Sequence, residues 1–422
     1  MALDPPSGGV PCAEELQADD GAALVKVLAH KTGAYACGEF RILEGGLSGA
    51  ALLQCELRCR DGVKNTEVVK AVVVKVTTES SSAKGKQLAL WREAKFYEAA
   101  AAASLDPEVL RIPEVLHAVC CPETGRKLVV LEDLSGTHVQ AGLLYGKGSP
   151  LNWSCNLDEA LARFGSSQSK ALVEPTELTE RAFVAAAAMH ARYWMDAEAL
   201  REHAHWLRGA GWVTALDEAL EGRAEWEAMQ RQASDGWASV RASVGTGGVA
   251  WDERVVALMD ASIASISWER FQGDIQRRPW TLVHGDFHPA NAMASVETGE
   301  LKWLDFELVG IGSGPQDLAQ FVISHMDAET RRGCERRLVE RYHAALEKGG
   351  LNTTGADTGG AAYSYEQCWS EYVSGGTERW VWLLAVLAGV CPAPMVQYFH
   401  DQLCAFACDH GVTASNVGMP RV

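Results

Sequence analysis

The stretch LVHGDFHPANAM at Leu282–Met293, followed by LKWLDFE at Leu301–Glu307, decides how this chain is read. Each piece opens on a short apolar run of strand character. Asp286 closes His-Gly-Asp, Asn291 stands five residues later, and Asp305 ends the second apolar run. Taken singly, Asp and Asn are common at turns and helix caps. The order H-G-D-x-x-x-x-N, apolar strand, Asp-Phe carries more. It supplies one carboxylate to orient and deprotonate a hydroxyl, and one amide and one carboxylate to hold Mg²⁺ against the phosphates of ATP.

Working outward, the chain has 422 residues, 47% of them apolar, enough for two domains with sizeable cores. A formal net charge of −17 disfavours nucleic acid as a partner. The N-terminus has neither a basic nor an apolar leader region, so no secretory signal is expected. The longest apolar run, Trp380–Val390, is too short to span a bilayer and reads as a buried helix. The 12 cysteines show no paired zinc spacing and read as reduced thiols of a cytoplasmic protein with no membrane partner.

Strand patterns dominate before residue 134 and helix patterns after it. The apolar spacing from Glu14 to Lys31 predicts a helix stopped by Gly33, and strands are expected at 40–43, 51–60, 68–76 and 128–131. A helix is expected from about Gln87 to Ala103, and Thr179 is the expected N-cap of a helix ending near Trp194. Asp61-Gly62 signals a hairpin. Gly45, Gly46, Ser48 and Gly49 lie between the first two strands. They read either as a phosphate-covering loop or as a plain glycine-rich hairpin. Lys75 ends the run VVVK, where an unpaired ammonium among valines would be costly.

These motifs resemble the aminoglycoside phosphotransferase/choline kinase superfamily. HGDFHPAN and WLDFE look like its catalytic and metal loops. LEDL at 131–134, AAMHA at 187–191, GPQDLA at 314–319 and the Tyr363-Ser364-Tyr365-Glu366 helix start resemble its ecdysteroid-kinase-like branch most. The resemblance implies an α+β, bilobal protein-kinase-like fold. A small antiparallel-sheet N-lobe would span residues 1–134 and a large, mainly helical C-lobe 135–422. It implies Asp286 as the catalytic residue, Asn291 and Asp305 as Mg²⁺ ligands, and Lys75 as a phosphate clamp braced by Glu93. Lys70 and Glu98 are the rivals of that pair. Glu132 to Leu134 would be the adenine-binding hinge. His284 and Asp317 would be scaffolding, and His190 a core histidine.

The expected activity is transfer of the γ-phosphoryl group of ATP to a small-molecule hydroxyl; the alternative is a nucleotide-binding pseudokinase or scaffold. Asp305-Phe306 is followed by Glu307 rather than Gly, and no Ala-Pro-Glu segment follows. Both departures argue against a protein substrate. Trp369, Trp380 and Trp382, near Glu366, Glu371 and Glu378, raise the further expectation of a cationic acceptor, against the plainer reading of a tryptophan-lined core.

Overall fold

The structure, a computed structural model, describes residues 9–43, 49–60, 66–153, 156–164, 174–209, 219–351 and 362–422. The chain forms two compact units, one of residues 1–137 with 302–308, the other of 138–301 with 309–422. The class is α+β, as expected. The first unit is built on an antiparallel sheet and the second is mainly helical.

In the first unit, α1 (Ala13–Ala18) and α2 (Ala22–Thr32) replace the single helix expected there. The break falls at Asp20 and Gly21, which both take positive φ, 53° and 79°. The strands are β1 (Ala34–Cys37), β2 (Arg41–Leu43), β3 (Ala51–Arg60) and β4 (Glu67–Val76). Helices α3 (Ser82–Gln87), α4 (Arg92–Ala101) and α5 (Pro107–Leu110) come next, then β5 (Val115–Cys121) and β6 (Arg126–Glu132). The sheet runs β1-β3-β4-β6-β5, with β2 also paired to β3. Strand alternation sorts β4 into two faces. Val72, Val74 and Val76 join Leu24 and Leu28 of α2 in a buried core, which sends Lys75 to the opposite face. Val129 lies opposite Lys75, so Lys127, two residues back along β6, shares that face.

The second unit begins with β7 (His138–Gln140), α6 (Leu157–Ala162) and α7 (Pro175–Arg192). Helix α7 starts four residues before the expected cap: Glu174 is the N-cap, Pro175 fills the first turn, and Thr179 is buried inside, donating its hydroxyl to Pro175 O at 2.7 Å. Then come α8 (Ala219–Arg241), α9 (Glu253–Ala264), α10 (Trp268–Arg277), β8 (Thr281–Val283) and β9 (Ala292–Ser295). Strand β10 (Leu301–Trp303) leads into the segment that belongs to the first unit. The chain closes with β11 (Gly310–Gly312), α11 (Gly314–His325), α12 (Ala328–Lys348), α13 (Tyr365–Ala388) and α14 (Ala393–Asp409). Two short antiparallel ribbons, β8 with β11 and β7 with β9, fix the two ends of the loop 284–291. Among the described residues no helix is long and apolar enough to cross a membrane.

Helix α13 packs on α8, α11 and α14. Gly376 makes its approach to α11 possible: a Cβ there would lie 2.5 Å from the Cβ of Ala319. Both atoms are fixed to backbone, so the helices would have to part. Gly376→Ala therefore sets a gain of about 1 kcal/mol in helix propensity against an overpacking cost of about 1–3 kcal/mol. We expect net destabilisation, read as a lower denaturant midpoint at unchanged m-value. A higher midpoint would show that the two helices have room to spare.

Candidate active site

Each unit gathers one cluster of charged side chains. In the first, Lys75 and Lys127 rise from one face of the sheet and Glu93 descends from α4. Asp305 and Glu307 come from the segment 302–308, anchored by Phe306, whose ring stacks on Phe96 at 3.9 Å between centroids. The Lys75 ammonium lies 3.0 Å from Glu93, 2.8 Å from Asp305 and 3.0 Å from Glu307. Lys127 donates to Glu93 and, at 2.6 Å, to Glu307. Glu93 and Lys127 are almost wholly buried.

The electrostatics follow from that crowding. Burial opposes the charge on Lys75, but Asp305, Glu307 and Glu93 outweigh it and hold its pKa above the usual lysine range. Burial pushes Asp305 up to about 6; Lys75 opposes the shift, while Glu307 and Glu93 add to it. Glu307 goes the other way. Burial would raise it, but Lys127 and Lys75 hold it at about 2. Asp305 also sits at φ 62°, a left-handed backbone conformation tolerated better by Asp than by most residues. One oxygen from each of Glu93, Asp305 and Glu307 falls within 4.8 Å of the others, a hard-oxygen set that suits Mg²⁺.

In the second unit the loop after β8 is braced from beneath. Asp317, buried in the first turn of α11, accepts from the backbone N–H of His284 at 2.8 Å and of Gly285 at 3.2 Å. Gly285 takes φ 79°, where a side chain would be strained. Asp286 follows. Its Oδ1 accepts from Gln320 Nε2 at 2.7 Å, and its Oδ2 lies 3.3 Å from Asn291 Nδ2 and 3.5 Å from His288 Nε2. Asn291 Nδ2 also donates to Asp286 O at 3.0 Å. Its amide nitrogen is thus engaged with Asp286, and its oxygen is the end suited to a metal ion. Burial would raise the Asp286 pKa, but His288, Arg379 and His284 outweigh it and hold the carboxyl well below its ordinary range. The side chain keeps 31% of its surface exposed, so a reactant can reach it.

The structure thus brings Lys75 together with Glu93 and Asp305, and Asp286 together with Asn291. The rivals stand apart: Lys70 is 4.0 Å from Glu114, and Glu98 pairs with Lys95. Glu132 and Leu134 stand at and just beyond the end of β6; the Glu132 N–H donates to Glu114 O at 3.0 Å, and Leu134 O accepts from Thr137. Gly45, Gly46 and Ser48, with the Asp61-Gly62 hairpin, lie outside the described residues, while Gly49 has φ 83°. His190 is buried against Tyr342, 2.9 Å away. Glu371 accepts from Ser313 and Tyr363, and Glu378 pairs with Arg421 and Arg278, so both carboxylates spend their charge inside the chain. Sequence reasoning missed Lys127, Gln320 and Arg379, and it read Glu307 only as a departure from Gly.

A strand lysine paired with a helix glutamate, and a loop H-G-D-x-x-x-x-N, are the parts of a kinase-like phosphotransferase. The profile of the Ecdysteroid kinase-like family matches residues 250–353, about a quarter of the chain, which include Asp286, Asn291 and Asp305. Over those residues the resemblance to that family drawn from the motifs is borne out. No curated protein matches the chain significantly. Among solved structures, the chain is similar to an ethanolamine kinase of Plasmodium vivax (10% identity, 88% of this chain and 82% of that one, TM-score 0.41). It is also similar to a choline kinase of Streptococcus pneumoniae (11%, 92% and 100%, TM-score 0.43). A third similarity is to a macrolide 2'-phosphotransferase type I (15%, 93% and 98%, TM-score 0.43).

Two outcomes follow from the first cluster. Lys127→Met leaves two buried carboxylates short of a counter-charge and is expected to cost about 3–5 kcal/mol, measured by urea unfolding. Asp305 has a folded-state pKa of about 6, above an unfolded value of about 3.9. Stability from this group is therefore full below about pH 4 and is lost as pH rises through about 6. Asp305→Asn removes that loss. The variant should melt above the parent at neutral pH, and the gap should close in acid. A lower neutral melting temperature would mean that the ion pair with Lys75 outweighs the burial.

Proposed function

We propose that this protein is a small-molecule kinase that transfers the γ-phosphoryl group of ATP, with Mg²⁺, to a hydroxyl group. The observation that carries the reading is the setting of Asp286. Its carboxylate is held ionised and part-exposed in a braced loop, with Asn291 bound to it. The acceptor hydroxyl would hydrogen-bond to that carboxylate. Its oxygen attacks the γ-phosphorus, the bond to the bridging oxygen breaks, ADP leaves with the electron pair, and the proton passes to Asp286. Lys75, braced by Glu93, would hold phosphate oxygens. Asn291 and Asp305 would hold Mg²⁺, which supplies charge neutralisation on the phosphates when bound.

The complete set Lys75, Glu93, Asp286, Asn291 and Asp305 supports catalysis over a pseudokinase. The pinned Glu307 supports a small acceptor over a protein one. Glu371 and Glu378 are already satisfied within the chain, so a cationic acceptor has no support from them. The scattered spacing of the 12 cysteines supports a reducing, cytoplasmic setting.

The test is ATP turnover against a library of hydroxyl-bearing metabolites, with mass detection of the phosphorylated product. Asp286→Asn should lower kcat about 10²–10⁴-fold while nucleotide affinity stays near the parent's. Near-normal product formation by that variant would remove Asp286 from the chemistry.

A further inference from the structure

Arg379 is a fully buried charged group of the second unit that the proposed chemistry does not use. It lies on α13, flanked by the buried Glu378 and Trp380, with none of its surface exposed. A guanidinium has five N–H donors, no acceptor, and no way to lose its charge. Buried there, it must be met by fixed oxygens. It is met by three: Nη2 donates to Gly285 O at 2.6 Å, Nε to Gln320 Oε1 at 3.1 Å, and Nη1 to Arg421 O at 3.4 Å.

The contact with Gln320 has a directional consequence. A glutamine amide can turn either end toward a neighbour, because one end accepts and the other donates. A donor-only group at Oε1 fixes that choice, so Nε2 must face the other way, toward Asp286 Oδ1 at 2.7 Å. Reversed, the amide would set Nε2 against a cation and Oε1 against a carboxylate, two repulsions in place of two hydrogen bonds. The same guanidinium holds the carbonyl of Gly285, the residue immediately before Asp286. One side chain therefore fixes the backbone entering Asp286 and, through Gln320, the rotation of its carboxylate. Asp317 holds the N–H side of the same turn, so the loop is gripped on both edges.

We propose that Arg379 is a positioning residue, acting through Gln320 and Gly285 to set the carboxylate of Asp286 in its reactive orientation. The proposal rests on the phosphotransfer reading of Asp286. Its signature is a loss of kcat without a loss of nucleotide binding, because neither Arg379 nor Gln320 belongs to the phosphate-holding set.

The experiment compares the full chain with Arg379→Met, Arg379→Lys and Gln320→Leu. Steady-state kinetics with the acceptor found by the screen are combined with hydrogen exchange at residues 284–286. Arg379→Met and Gln320→Leu should each lower kcat by roughly 10–100-fold, with the KM for ATP unchanged. Arg379→Lys keeps a donor-only group at Gln320 and should recover part of the loss. Exchange at 284–286 should quicken in Arg379→Met, which frees the Gly285 carbonyl. If Arg379→Met fails to fold, Gln320→Leu decides. A folded variant of either kind with parental kcat, or one in which kcat and ATP binding fall together, overturns the proposal. If the parent chain phosphorylates nothing, the functional reading fails; unchanged exchange in a folded Arg379→Met would separately show that Arg379 does not hold the loop.

Discussion

Five charges share one face of the antiparallel sheet, and the first unit is arranged around keeping them matched. Taking an ion out of water costs several kcal/mol unless partners replace its hydration. Here two ammoniums serve three carboxylates, and the near-complete burial of Glu93 and Lys127 leaves no solvent to make up a shortfall. Apolar residues of similar volume would give comparable stability at such a place. Stability alone does not account for the five charges. A cluster one negative charge in excess, built of hard oxygens around two lysines, fits the proposed role of receiving a cation and a polyanion together.

The second unit solves a different problem with different means. Its loop holds one carboxylate ionised and reachable: hydrogen bonds to the backbone fix the loop, and the positive charges nearby keep Asp286 ionised. Asp317 takes two N–H groups, Arg379 takes a carbonyl, and the short ribbon of β8 with β11 anchors the entry to the loop. Direct partners of the Asp286 carboxylate are an amide from Gln320 and, more distantly, Asn291 and His288. The amides of Gln320 and Asn291 are neutral donors, which position a carboxylate without pairing its charge. That suits the proposed role of Asp286 as acceptor of the hydroxyl proton.

Much of this was legible in the chain, and the failures have physical reasons. The loops proposed as catalytic and metal-binding can be read because their spacing is local and each follows an apolar strand. Lys75 was readable because an ammonium among valines needs a partner. The same reasoning applied to Lys127 would have found it: it shares the phase of Val129 and Leu131, two and four residues on, and so points to the same face. Its place at the start of a strand, where a solvated lysine is ordinary, hid the signal. Gln320 and Arg379 left no local trace, because their partners lie 34, 59 and 94 residues away. The two errors at helix starts came from capping. Apolar spacing ran unbroken across Asp20-Gly21, and a threonine at the right distance from an apolar stripe drew attention from Pro175, which marks the true first turn.

Glu307 ties these points together. In protein kinases a glycine after Asp-Phe lets that segment change place, and the packing of its Phe separates active from inactive states. Here three consecutive side chains are pinned: Asp305 to Lys75, Phe306 on Phe96, and Glu307 to both Lys75 and Lys127. Moving the segment would strand at least two buried carboxylates and expose an aromatic ring. The segment therefore has no low-cost second position. A kinase of the proposed kind, built this way, would give up the switch that a protein kinase keeps in its activation segment and would hold the Asp305 carboxylate in one place throughout.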